Sequence, residues 1–239
     1  MAHNYSPKIV TDGLIFYVDA ANTKSYVSGS TIWNDLSKTF TTTNLFNTPL
    51  YTSTNNGGIV FDGVNEYGET PRLTVLRPDY VTMCAWVKYT GTQALSFVGG
   101  YGNTGTAGYS LSVNYSTNKF QFIAGNGNTI GGGVPLLTFG SGIGNICYAC
   151  GSFDGTTIRG YQNGVLINSI NQDVPGPLVY PTTGSSPVTG GLHIGIIVSS
   201  LAAARYWTGD IYQIKIYNRA LSATEILQNY NTTKSRFGL

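Results

Sequence analysis

Charge is what this sequence has least of. Asp, Glu, Lys and Arg make up 10% of its 239 residues, 13 Lys+Arg against 11 Asp+Glu. About 25% is usual for a soluble globular protein. A phosphate-binding surface needs clustered Lys and Arg; here they are scattered, which excludes nucleic acid as a partner. No run approaches the ~18 apolar residues of a membrane-spanning helix, so no membrane partner is expected. The first residues, MAHNYSPKIV, lack the apolar stretch of a signal peptide. No heptad or longer repeat recurs, which excludes a coiled coil or solenoid. Cysteine is limited to Cys84, Cys147 and Cys150. An odd number implies no paired framework, so free thiols are expected.

What is present is neutral and polar: 29 Thr, 20 Asn, 19 Ser, 31 Gly and 17 Tyr. With 41% hydrophobic residues and so little charge, the chain is not disordered. Its length suits one large domain that buries roughly 70–75% of the unfolded surface.

The residue pattern predicts an all-β fold. Val, Ile, Thr, Tyr and Phe favour strands, and short apolar or alternating runs recur between Gly, Asn and Asp turns. Strands are expected near 14–18, 58–61, 81–88, 94–99, 109–114, 119–124, 146–153, 157–162, 165–171, 192–197 and 210–217. Asp154-Gly155 and Asn163-Gly164 supply the positive φ of tight hairpin turns, giving a three-strand meander over 146–171. One helix is legible. Ser222-Ala223-Thr224-Glu225 is a capping box, and Leu221 with Ile226 forms a hydrophobic staple, so a helix should run over about 223–230. Many short strands and one helix indicate an antiparallel two-sheet jelly-roll sandwich over residues 1–239. A short N-terminal arm (about 1–12) and a C-terminal helix and tail (about 222–239) complete it. The stretch 175–191 reads as a long surface loop.

Each motif with chemical potential has a structural explanation beside it. Gly100-Tyr101-Gly102-Asn103-Thr104-Gly105 matches G-x-G-x-x-G, but loop and strand follow it, not the helix a dinucleotide needs. Cys147-Tyr148-Ala149-Cys150 lacks the second pair that zinc requires, and strand positions three apart face opposite sides. The two histidines are His3, in the terminal arm, and His193, at strand period between Leu192 and Ile194. Neither has a nucleophile motif beside it. A glycosidase needs two carboxylates across one bond. The glutamates are Glu66, Glu69 and Glu225; Glu225 serves the cap, and the other two would point to opposite faces of a strand. No catalytic residue is therefore assigned. Calcium wants six to eight oxygens. Asp19, Asp62, Asp154 and Asp210 are available, no D-x-D cluster exists, and Asp154 serves its turn. The Tyr and Trp content exceeds what a core needs. The surplus suits sugar stacking or protein interfaces. Asn4, Asn114 and Asn231 open glycosylation sequons, expected to be unused without a secretory signal.

Six segments in order resemble the laminin-G-like, concanavalin A-like jelly-roll family. They are Gly13-Leu14-Ile15-Phe16-Tyr17-Val18-Asp19; Trp33-Asn34-Asp35-Leu36-Ser37; Ile59-Val60-Phe61-Asp62-Gly63 with Tyr67; Met83-Cys84-Ala85-Trp86-Val87-Lys88; Phe153-Asp154-Gly155 with Tyr161-Gln162-Asn163-Gly164-Val165-Leu166; and 209–226. The family usually carries an acidic pair in its closing strand, where this chain has Tyr212 and Gln213. No cofactor is assigned; for a calcium ion, Asp62 and Asp210 remain the candidate ligands. The ending, 217–226 and 235–239, is similar to single-domain versions among structural proteins of tailed bacteriophages, of the cyanophage type.

That resemblance implies a non-enzymatic virion structural protein: a capsid decoration, neck or tail-associated subunit. It would be made in the host cytoplasm and act through contacts with other virion proteins, with self-association as a further option. The alternative is a carbohydrate-binding adhesin or receptor-binding fibre domain for a cell-surface glycan, using the loops at 99–108 and 125–133. A glycoside hydrolase is the remote alternative.

Overall fold

A computed structural model describes residues 8–102, 106–180, 191–198 and 204–239. The strands, in chain order, are β1 (Leu14–Asp19), β2 (Ile32–Asn34), β3 (Thr42–Phe46), β4 (Leu50–Thr52), β5 (Gly58–Asp62), β6 (Tyr67–Glu69), β7 (Val81–Tyr89), β8 (Leu95–Tyr101), β9 (Ala107–Asn114), β10 (Lys119–Asn126), β11 (Leu136–Phe139), β12 (Ile146–Phe153), β13 (Thr157–Gln162), β14 (Val165–Asn171), β15 (Leu192–Ile194), β16 (Ile196–Val198), β17 (Ala204–Tyr206) and β18 (Thr208–Tyr217). One helix, α1 (Ala223–Thr233), runs into a single 3-10 turn, Lys234–Phe237.

Two eight-stranded antiparallel sheets face each other, as the sequence predicts. The first has the order β14-β13-β12-β7-β18-β5-β4, with β1 also on β18. The second has the order β11-β10-β9-β8-β15-β6-β3-β2. Between them lies the main core, where Phe16, Trp33, Phe61, Tyr109, Phe122 and Trp207 are fully or almost fully buried.

A second buried layer lies on the back of the first sheet. Trp86, Tyr148, Tyr212 and Tyr217 project there and are covered by Ile226 of α1 and by Phe237, whose ring stacks on Trp86 at 4.1 Å. The aromatic surplus is smaller than composition suggests: all three Trp are fully buried, Trp86 in this layer and Trp33 and Trp207 in the main core. Residues 8–12 dock on the same layer. The Val10 N–H donates to Asn229 Oδ1 at 2.8 Å, and Tyr217 OH donates to the Val10 carbonyl at 3.0 Å.

The capping box forms as expected: the Glu225 N–H donates to Ser222 Oγ at 3.3 Å and the Ser222 N–H to Glu225 Oε2 at 2.9 Å. The meander also forms, with Asn163 and Gly164 both at positive φ (51° and 82°). Two expectations are corrected. The strand expected over 192–197 is broken at Gly195, whose φ is +73° and whose N–H donates to the Val98 carbonyl at 2.9 Å. A side chain there would strike the Phe61 ring, so the chain turns into β16. Cys150 is not a free thiol. It lies directly opposite Cys84 on β12 and β7, with Cα atoms 4.0 Å apart, and the two form a disulfide. Cys147 alone is free; it faces the main core, and burial pushes its thiol up to about 12.

Candidate functional site

The outer face of the second sheet carries one continuous row of paired residues. Read across all eight strands it is Ile32, Asn44, Glu69, His193, Gly100, Ser110, Ile123 and Leu136. Strand side chains alternate between faces. The flanking residues Trp33, Leu45, Leu192, Ile194, Tyr109 and Leu137 point into the main core, which fixes this row on the opposite face.

The middle of the row is polar. His193 and Glu69 are 5% and 6% exposed, and His193 Nε2 lies 3.5 Å from Glu69 Oε1. Neither ring nitrogen of His193 makes a hydrogen bond, and the hydroxyls of Ser110 and Ser112 have no partner either. Buried polar groups are usually paired, and an unpaired one costs about 1–3 kcal/mol. Gly100 sits between His193 and Ser110. A side chain there would collide with the Tyr109 carbonyl and Ser110, so the floor stays flat at that point.

Beside the polar row stands an aromatic pair. Phe46 and Tyr67 are partners across β3 and β6, two residues along from Asn44 and Glu69 on the same face. Their rings stack at 4.6 Å with planes 14° apart, and Phe46 is 38% exposed. Burial, then the nearby Glu69 carboxylate, raises the Tyr67 phenol above its ordinary value. Asn44 is exposed. The face therefore combines a stacked aromatic pair and an exposed amide with a buried carboxylate and imidazole, all within two residues of strand spacing.

The other carboxylates have local duties. Glu66 Oε2 accepts from the Asp62 N–H at 2.7 Å within the 62–66 turn, and Glu225 holds the helix cap. Asp154 pairs with Arg159, Asp19 with Arg236 and Asp12 with Arg219. The candidate calcium ligands lie on neighbouring strands. Asp62 is opposite Thr208 and Asp210 opposite Val60, so they are two register steps apart. Asp62 Oδ1 accepts from the Val64 N–H at 2.7 Å, and Tyr212 OH donates to Asp210 Oδ2 at 2.8 Å. Among the described residues no three His, Cys, Asp or Glu side chains come together as a metal site.

The sequence singled out His193, Glu66 and Glu69 one at a time. The structure brings His193 and Glu69 together and leaves Glu66 in its turn. Asn44 and Phe46 carry no motif, and Tyr67 was marked only as part of the family resemblance; the alternation Thr42-Asn44-Phe46 along β3 is the signal that marks one outward face. Of the loops expected to serve a glycan, 99–101 and 107–108 belong to β8 and β9, and 125–126 to β10. His3, Asn4, Asn103, Thr104 and Gly105 lie outside the described residues.

A family model described as the concanavalin A-like lectin/glucanases superfamily matches residues 62–227. No curated protein matches the sequence significantly. Solved structures match the fold at low identity. Trypanosoma rangeli sialidase in complex with the inhibitor DANA aligns with a TM-score of 0.62 and 16% identity over 93% of this chain and 33% of that one. The chain thus spans about a third of the sialidase's length. Domain 4 of AbnA, a GH43 extracellular arabinanase from Geobacillus stearothermophilus solved with arabinotriose, aligns with a TM-score of 0.63 and 14% identity over 92% of this chain and 100% of that one. The CBM40 of Ruminococcus gnavus IT-sialidase, bound to α2,3-sialyllactose, aligns with a TM-score of 0.52 and 18% identity over 71% of this chain and 94% of that one.

Proposed function

The chain belongs to the concanavalin A-like lectin/glucanases superfamily, and from that premise we propose that it is a non-catalytic carbohydrate-binding domain whose ligand lies on the outer face of the second sheet. The observation that carries this reading is the stacked Phe46–Tyr67 pair beside Asn44, Glu69 and His193. A pyranose presents a C–H face and a rim of hydroxyls. The exposed aromatic edge takes the first; the exposed Asn44 amide takes the second, with the buried Glu69 and His193 beneath it. The arabinanase domain solved with arabinotriose and the CBM40 solved with α2,3-sialyllactose support a glycan as the class of ligand. The carboxylates support binding over catalysis: Glu69 is the one acid among the described strand residues of this face, and glycoside hydrolysis ordinarily uses a pair.

The test is isothermal titration after a glycan array, with arabinotriose and α2,3-sialyllactose among the probes. Asn44→Ala and Phe46→Ala, both at exposed positions, should each weaken binding about tenfold or more, a loss of ~1.4 kcal/mol. Their thermal midpoints should stay close to the parent's. A folded parent that binds no glycan on the array, or binding that neither variant weakens, overturns the reading.

A role as a virion structural subunit is the second reading, and an adhesin on a phage particle would satisfy both. Strand β14 supports it. It is a sheet edge with Val165, Leu166 and Ile167 exposed and no charge in its seven residues, a surface suited to another protein. Proteomics of purified phage particles whose genome encodes the chain tests this; absence of the chain ends it.

A further inference from the structure

A groove of about 410 Å³ opens where the 26–31 loop, the end of β3 and the start of β4 meet. Its walls include Tyr26, Ser30, Thr31, Thr48, Leu50 and Tyr51. Tyr26 and Tyr51 stack at 5.7 Å, with Trp33 edge-on behind Tyr26 at 6.5 Å. Leu50 stands on the lip, 70% exposed.

The walls are fixed before any ligand arrives. Tyr26 OH donates to the Ser30 carbonyl at 3.1 Å, the Ser30 N–H to the Val27 carbonyl at 2.9 Å, and the Leu45 N–H to the Thr31 carbonyl at 2.7 Å. Opposite them, Asn47 and Thr48 form the tight turn between β3 and β4, both left-handed at φ 61° and 58°. That conformation is a rare one for a β-branched residue such as Thr48. Backbone held in such a state tends to gather at ligand sites.

The groove also lacks charge. Its walls come from residues 26–51, where the stretches 25–34 and 39–61 contain no Asp, Glu, Lys, Arg or His. The outer face of the second sheet, by contrast, holds Glu69 and His193. An ionic ligand would find no counter-charge in the groove and would lose its hydration. Hydroxyls and backbone carbonyls over an aromatic and aliphatic floor match a neutral pyranose. The volume lies at the small end of ligand sites, which run from about 300 to 1,000 Å³, and suits one or two sugar rings.

We propose that this groove is a second carbohydrate site, separate from the outer face of the second sheet, and that it takes an uncharged hexopyranose unit. The assignment rests on the groove's own residues and stands or falls apart from the glycan reading of that face.

The test is NMR titration of the full ¹⁵N-labelled chain with methyl glycosides of glucose, galactose and N-acetylglucosamine at millimolar concentration. A short neutral Pro/Leu peptide serves as the competing probe. At least one sugar should shift the amides of 28–31 and 48–51. Ser28→Trp, which fills the mouth from an exposed position, and Leu50→Asp, which charges the lip, should each weaken that response about tenfold or more. Asn44→Ala should leave it unchanged. No shift at these amides with any of the sugars, shifts that persist in both groove variants, or occupation by the peptide alone each overturns the proposal. Shifts confined to residues 44, 67, 69 and 193 would overturn it while leaving the glycan reading of the sheet face intact. Shifts confined to the groove would do the reverse.

Discussion

Lys215 is the residue whose environment departs furthest from its usual one. It points into the layer behind the first sheet, fully buried, with its Nζ donating to Gln213 Oε1 and lying 4.8 Å from the centre of the Tyr17 ring. Burial lowers its pKa to about 7; the nearby Asp19 opposes this and Arg236 adds to it. The sign follows from linkage. Between about 7 and the ordinary 10.5 the unfolded chain holds a proton that the folded chain has released. Stability should therefore rise with pH through that window and stay flat, on this account, below it. Urea midpoints at pH 7 and pH 9 should show the rise in the parent, and Lys215→Met should remove most of it. A rise of equal size in the variant would mean that other groups cause it. Nothing in the sequence around Lys215 announces this. The strand alternates Ile214-Lys215-Ile216, as a half-exposed strand would, and only the cover by α1 and the C-terminal turn makes the lysine buried.

At the scale of elements, the helix shows what local sequence can specify. Ser222, Glu225, Leu221 and Ile226 lie within six residues, and all four take the places their spacing predicts. Arg219 adds a partner the spacing did not reveal: its Nη2 and Nη1 donate to Glu225 Oε1 and Oε2 at 2.6 and 3.0 Å. That contact, with the cap N–H, holds the Glu225 carboxyl at about 2. The stabilisation is present above the ordinary carboxylate range and is lost as pH falls toward 2. Ser222→Ala should cost about 1 kcal/mol in urea unfolding at neutral pH, and less at pH 2, where the cap is already weakened. An equal cost at both values would show that Glu225 is not part of the cap's contribution. Elements set by distant pairing were less legible. Strands β2, β3, β4, β6 and β11 have three to five residues, too few for an alternation to stand out. The Cys84–Cys150 pair joins positions 66 residues apart, and only the register of β7 on β12 places them opposite each other. For the same reason His193, Glu69 and Tyr67 were visible as residues but not as neighbours of their partners, and Phe46 not at all.

At the scale of the whole molecule, the two sheets separate stability from recognition. The face proposed for a glycan lies on the second sheet, away from the main core. Residues 8–10 and the C-terminal turn are tied to the back of the first, where residues 8–10 meet α1 and Tyr217. Arg236 fastens the C-terminal turn there. It donates to Asp19 Oδ1 at 2.7 Å, to the Asn55 carbonyl at 2.6 Å and to the Gly57 carbonyl. Phe237 beside it covers Trp86. Deleting residues 234–239 would uncover that ring and leave Asp19, 9% exposed, without its guanidinium. Hydrogen bonds to charged groups contribute about 1.5–3 kcal/mol each, so a loss of at least ~3 kcal/mol is expected. For a domain of this size that corresponds to a fall in Tm of roughly 6–12 °C. The deletion removes no residue of the outer face of the second sheet or of the groove beside Tyr26 and Tyr51. At a temperature where the shortened chain is still folded, its glycan Kd should match the parent's within about twofold, less than the tenfold of 1.4 kcal/mol. A deletion that leaves Tm unchanged would show that the C-terminal turn does not hold the back layer together. A deletion that lowers Tm and also weakens binding well below the transition would show that the two sheets are coupled after all.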